Sequence, residues 1–115
     1  MKIEGEGKLL RVFIGESDRY HGSALSEAIL RAARKSGLAG ATVWQGVAGF
    51  GANSRIHTAK ILRLSEDLPM IVEIVDTEEK IRAFLPQLDA MLQAAGSGGL
   101  VTLEKAEIIK YTQGQ

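Results

Sequence analysis

The sequence predicts a ferredoxin-like α+β sandwich: strand, helix, strand, strand, helix, strand, with two helices on one face of a four-stranded antiparallel sheet. Three observations carry that expectation. Apolar, β-branched-rich runs recur at residues 8–14, 41–48, 58–64, 70–75 and 100–111. Two other stretches, around Leu25–Lys35 and Ile81–Leu92, repeat their apolar residues at helical spacing. The elements fall into two similar strand–helix–strand halves, within a chain of 115 residues that has the length of one domain.

Residues 1–7 carry two glycines and two glutamates and read as a flexible leader; the domain itself is expected to span 8–111, with 112–115 as a tail. The first strand, 8–14, places Leu10, Val12 and Ile14 on one face and Leu9, Arg11 and Phe13 on the other. After a polar loop, Ser23 suits a helix N-cap, since its hydroxyl can accept an unpaired N–H of the first turn. Leu25, Ala28, Ile29, Ala32 and Ala33 then form an apolar stripe, and Gly37 is placed to stop the helix. The second strand, 41–48, runs into a glycine-rich tip, and 58–64 returns from it. Pro69 interrupts that return, because proline cannot donate to a sheet ladder, and 70–75 continues as a strand.

Asp76 and Glu79 read as a capping box opening the second helix. Its stripe of Ile81, Phe84, Leu85, Leu88, Met91 and Leu92 keeps register across Pro86, which predicts a kink rather than a break. At about 1.5–3 kcal/mol per large side chain buried, this stripe is a major source of core free energy. A second glycine-rich turn, 95–99, precedes the last strand, 100–111. The alternation of that strand slips at 104–106, the pattern of a bulge.

Composition excludes several function classes. Fourteen basic residues balance fourteen acidic ones, so there is no general attraction for nucleic acid or an anionic membrane. The absence of cysteine removes disulfides, thiolate metal sites and thiol nucleophiles. Mean hydropathy is +0.02, and the apolar runs fall well short of the roughly 20 residues of a membrane-spanning helix. With no signal-peptide pattern at the N-terminus, a cytoplasmic location is expected.

The sheet face away from the helices is expected to be unusually apolar. Leu9, Phe13, Val43, Val47, Ile71 and Val75 are assigned to it, interrupted by Arg11, Gln45 and Glu73. A mostly apolar face with few polar groups suits packing against other subunits better than contact with water, so this second face is expected to be buried in an oligomer.

The candidate site centres on the hairpin tip. Gly49, Gly51, Asn53, Arg55 and His57 gather backbone N–H groups and three side chains that could grip a small anion. The glycines lie between two strands rather than before a helix, so the dinucleotide fingerprint is not met. The loop Glu16, Asp18, Arg19, Tyr20, His21 matches no metal-ligand spacing, and no metal or cofactor is expected. His57 or His21, with Glu16 or Asp18, would be the only general-base pairing on offer, and no nucleophile motif accompanies it.

The runs G-V-A-G-F-G-A-N-S-R-I-H-T, I-G-E-S-D-R-Y-H-G and L-S-E-D-L-P-M-I-V-E-I-V-D-T-E-E-K-I resemble an uncharacterised prokaryotic family, domain of unknown function 190, of the PII-like superfamily. The resemblance covers about 7–111. Nitrogen-regulatory PII proteins are similar more weakly, in the G-F-G tip followed by His57-Thr58 and in the glycine turn before the last strand. That resemblance implies a homotrimer with ligand clefts between subunits, which in PII proteins take adenine nucleotides. Carried onto this chain it points to Gly49, Phe50, Gly51, Gly96, Gly98, Gly99 and Lys110. The chain departs from PII in its G-S-G-G-L-V turn, which lacks the acidic residue and lysine, in Thr112 where a second basic residue stands, and in the short loop after the tip. Members of the family are often encoded beside a small membrane fluoride exporter, which suggests a membrane-transport protein as partner.

The expected function is a sensor or signalling module, not an enzyme, that binds a small anionic ligand, an adenine nucleotide among the candidates, between subunits. The alternatives are an assembly or interaction subunit without a ligand, and a small histidine-dependent enzyme.

Overall fold

The computed structural model describes residues 5–50 and 67–114. These form β1 (Gly5–Gly15), β2 (Arg19–Tyr20), β3 (Ser23–Ala24), α1 (Leu25–Lys35), β4 (Gly40–Gln45), β5 (Pro69–Asp76), α2 (Glu78–Ala95) and β6 (Leu100–Ile108). Four strands make one antiparallel sheet in the order β4-β5-β1-β6, and β2 pairs with β3 in a small separate ribbon. With both helices on one face, this is the ferredoxin-like sandwich that the sequence predicts. The expected return strand 58–64 lies outside the described residues.

The core lies between sheet and helices because one parity of each central strand is apolar. Leu10, Val12 and Ile14 of β1 and Val72 and Ile74 of β5 meet Leu25, Ile29 and Ala33 of α1 and Ile81, Phe84, Leu88 and Met91 of α2. Among the described residues the one buried carboxylate, Asp76, is accommodated by hydrogen bonds: its oxygens accept the Ala39 N–H at 2.8 Å and the Thr77 N–H at 2.6 Å. Pro69 stands at the first residue of β5, opposite Gly15, where a missing donor costs the ladder least.

Four expectations need correcting. Ser23 does not cap α1. It sits in the β2–β3 ribbon, Ala24 holds the cap position with no side-chain bond, and the Leu25 N–H is taken by the Asp18 carbonyl at 2.9 Å. Thr77, not Asp76, caps α2, because Asp76 is the last residue of β5 and its carboxylate is spent inward. No bulge occurs in β6, whose nine residues pair without interruption against β1 from Phe13–Leu100 to Gly5–Ile108; the slipped alternation reflects an edge strand only partly buried on either side. The β4 parity is also reversed. Val43 pairs with Val72 and Gln45 with Met70, on the helix side, so Thr42 and Trp44 face the other way. β4 ends at Gln45, leaving Val47 beyond it.

Other features agree with the sequence. Gly37, at φ +80°, follows the last turn of α1 in the left-handed conformation that glycine adopts without a Cβ clash. Helix α2 runs continuously through Pro86. One boundary does differ: β1 begins at Gly5, three residues before the expected start, so residues 5–7 of the expected leader pair with β6.

The face away from the helices carries Leu9, Phe13, Ile71, Val75 and Trp44, with a polar row crossing it. The Arg11 guanidinium donates to Glu73 at 2.7 Å and to Glu104 at 2.5 Å, and the Trp44 indole N–H donates to the other Glu73 oxygen at 2.8 Å. The row thus links β4, β5, β1 and β6. Hydrogen bonds from Arg11 first, then Trp44, hold the Glu73 carboxyl below the usual glutamate range, and the same contact with Glu73 raises the Arg11 pKa.

Candidate functional site

Sheet register brings the loops together at one end. Gly15 at the end of β1 pairs with Pro69 at the start of β5, Gln45 at the end of β4 pairs with Met70, and Leu100 at the start of β6 pairs with Phe13. The segments after β1 and β4 and those before β5 and β6 therefore converge. Among them lies a cleft of about 630 Å³.

Its apolar wall is Phe13, Ile71 and Leu100, consecutive neighbours on the open sheet face. Its rim is largely main chain, with Gly46 and Gly49 after β4 on one side and Gly96, Gly98 and Gly99 before β6 on the other. Phe50, 73% exposed, borders it. Two of these glycines are required by close approach. A Cβ at Gly46 would come within 2.6 Å of the Pro69 ring, and one at Gly99 within 3.0 Å of the Phe13 carbonyl oxygen.

The turn before β6 follows from how α2 ends. Gly96, at φ +65°, is a left-handed helix stop; its N–H is donated to the Gln93 carbonyl and the Ser97 N–H to that of Leu92, each at 3.0 Å. Ser97 then donates its hydroxyl to Asp18 Oδ2 at 2.9 Å. The same oxygen accepts the Gly15 N–H at 2.9 Å, so one carboxylate ties the end of β1 to the glycine turn. Asp67 is the second brace: its Oδ1 accepts both the N–H and the hydroxyl of Ser17, at 2.8 and 2.7 Å. A Cβ at Gly15 would lie 2.5 Å from that Asp67 oxygen. Asp18 and Asp67 both line the cleft, and among the described residues no lysine, arginine or histidine does.

Five of the residues singled out from the sequence, Gly49, Phe50, Gly96, Gly98 and Gly99, therefore border one cleft. Gly51, Asn53, Arg55 and His57 lie outside the described residues. Lys110 lies past the far end of β6, whose last residue, Ile108, stands roughly 27 Å along the strand from Leu100. Its neighbour Tyr111 donates its hydroxyl to the Ala39 carbonyl at that opposite end. Glu16 accepts from Gln45, and Asp18 from Gly15 and Ser97, so neither carboxylate is paired with His21. Among the described residues no group of three or more potential ligands is placed to hold a metal ion. Nor is any described helix long and apolar enough to cross a membrane.

Sequence reasoning missed Asp67 and Ser97. Ser97 carried a faint signal, the one polar side chain inside a glycine run. Asp67 carried none, because its role depends on contact with residues 50 positions away.

Comparison with solved structures supports the fold. A protein of Thermus thermophilus, provisionally described as PII-like signaling, aligns with a TM-score of 0.63 at 15% identity over 91% of each chain. The CPII protein of Thiomonas intermedia, solved bound to ADP and bicarbonate, aligns with a TM-score of 0.59 at 15% identity over 89% of each chain. Sequence relatives are nearer. A UPF0166 protein of Aquifex aeolicus is 39% identical over 102 residues, covering 89% of this chain and 92% of its own. A UPF0166 protein of Methanocaldococcus jannaschii is 31% identical over 105 residues, covering 91% and 94%. The DUF190 family model, described as uncharacterized ACR, matches residues 7–108. On that match the chain belongs to the DUF190 family, on a PII-like fold.

Proposed function

We propose that this protein is a cytoplasmic PII-like sensor module that binds a small anionic ligand, an adenine nucleotide being the leading candidate, in clefts between the subunits of a homotrimer. One observation carries the reading: glycines from two distant turns and an exposed phenylalanine border a single cleft whose apolar wall continues the open sheet face. A subunit laid on that face would close the cleft from the side. Backbone N–H groups at the glycines would hold the anionic part, and Phe50 and Leu100 would meet an apolar or aromatic part. The ADP and bicarbonate bound to Thiomonas CPII support this choice of ligand class. Lys110 enters the reading only through a neighbouring subunit, because it stands at the other end of its own sheet. The downstream partner in this reading is a membrane-transport protein.

Thermal unfolding with ADP, ATP, AMP, cyclic nucleotides and bicarbonate tests it. Ligand at one hundred times its dissociation constant stabilises by about 2.7 kcal/mol, which for a domain of this size raises Tm by on the order of 10 °C. Gly99→Val should abolish the shift, since its side chain would press on the Phe13 carbonyl. No shift with any of these ligands, in a protein of trimer mass, would favour the assembly-subunit reading, which the apolar open face also supports.

A further inference from the structure

A second concavity lies on the helix side of the molecule, between α1, α2 and the β2–β3 ribbon. It measures about 320 Å³, at the lower end of small-molecule sites. It shares no residue with the glycine-bordered cleft. Its floor is apolar, formed by Ala28, Ala32 and Met91, and its polar rim holds His21, Arg31 and Gln87.

Two features of that rim are unexplained by folding. The ribbon turns through His21 and Gly22, between the paired residues Tyr20 and Ser23, and both turn residues have positive φ, +49° and +81°. That is the two-residue hairpin turn in which asparagine followed by glycine fits best. Histidine is tolerated there, but the turn itself gains nothing from an imidazole. The His21 ring instead stands edge-on to Tyr20, with centroids 4.2 Å apart and planes at 75°. Arg31, meanwhile, makes no hydrogen bond or ion pair among the described residues, although Glu27 lies one turn before it on the same helix. A guanidinium with no partner among the described residues and an imidazole held in a positive-φ turn share one concavity over an apolar floor.

We infer that this groove is a second ligand site, for a small organic anion. Its carboxylate or phosphate group pairs with Arg31, whose planar fork suits either, and contacts His21. A short apolar portion lies on Ala28, Ala32 and Met91. The site is independent of the proposed nucleotide cleft.

The test is NMR titration of the full chain with butyrate and, separately, inorganic phosphate, following the His21 ring and the Met91 methyl signals. The expected result is a saturable shift of both, with butyrate alone moving Met91 if the ligand is a carboxylate with an apolar tail, and phosphate moving His21 if it is a phosphoryl group. Arg31→Gln, on the helix surface, should weaken binding at least tenfold. His21→Asn should weaken it too while leaving Tm unchanged or raised, which a purely structural histidine would not do. The inference is overturned if neither anion gives saturation, if Arg31→Gln binds as well as the parent, or if the shifts fall on Gly49 and Gly98 instead. Loss of folding in His21→Asn would also count against it, by assigning the histidine to the turn.

Discussion

The two faces of the sheet are built from alternate residues of the same strands and meet opposite requirements. On the helix side Leu10, Val12, Val72 and Ile74 are fully buried, and the buried carboxylate there, Asp76, has its oxygens taken by main-chain N–H groups. On the other side, Leu9, Phe13 and Ile71 are only half-covered, Trp44 and Leu100 are 56% and 58% exposed, and a hydrogen-bonded row from Trp44 to Glu104 crosses all four strands. The first face is finished within one chain. The second has the polar groups of its central row paired with one another but its apolar surface left over, the kind of surface that marks an interaction site.

That contrast can be broken most severely from the closed side. Leu10→Ala should cost about 2–5 kcal/mol, as expected of a large aliphatic removed from a packed core, read as a lower urea midpoint with unchanged slope. Asp76→Ala should come next, about 1–3 kcal/mol in all, because the Ala39 and Thr77 N–H groups that lose their acceptor are only part-buried, measured the same way. On the open side Phe13→Ser should lower protomer stability less than Leu10→Ala does, because Phe13 is only half-buried. Its larger effect is expected on molar mass by light scattering, which should fall to that of a monomer if the face joins subunits.

The smallest effect concerns pH. Glu73 has its pKa lowered in the folded state from an ordinary value near 4.5, first by Arg11 and then by Trp44. A depressed carboxyl stabilises the fold above its unfolded value, and that contribution is lost as pH falls through the lowered one. Below about pH 4.5 the urea midpoint should therefore decline, and Glu73→Gln should flatten part of that decline. An equally steep decline in Glu73→Gln would remove the row from any account of acid stability.

What was legible in the sequence follows the same division. The closed face was legible because β1, β5 and both helices bury one periodicity each, so Leu10, Val12, Ile14, Ile81 and Phe84 declare themselves. The parity of β4 was not. Apolar residues fall on both sides of it, Val43 inward and Trp44 outward, and only pairing with Val72 and Ile71 decides which is which. The cap of α2 was displaced by one residue because Asp76 and Thr77 are both good capping types, and the strand's claim on Asp76 is a tertiary fact. The cleft was partly legible, through its glycine turns. Its braces were not, since a carboxylate that joins residues 15, 18 and 97 leaves no mark on local pattern.

The Asp18 brace has a consequence for how such sequences diverge. One carboxylate oxygen receives both a main-chain N–H and the hydroxyl of a residue 79 positions away. Losing Ser97 alone leaves the Asp18 oxygen with one donor fewer, and losing Asp18 alone strands both donors. Drift at either position is therefore harmful until the other has changed. Across an alignment of the family, columns 18 and 97 should covary, with acceptor-bearing residues at the first accompanying donor-bearing residues at the second.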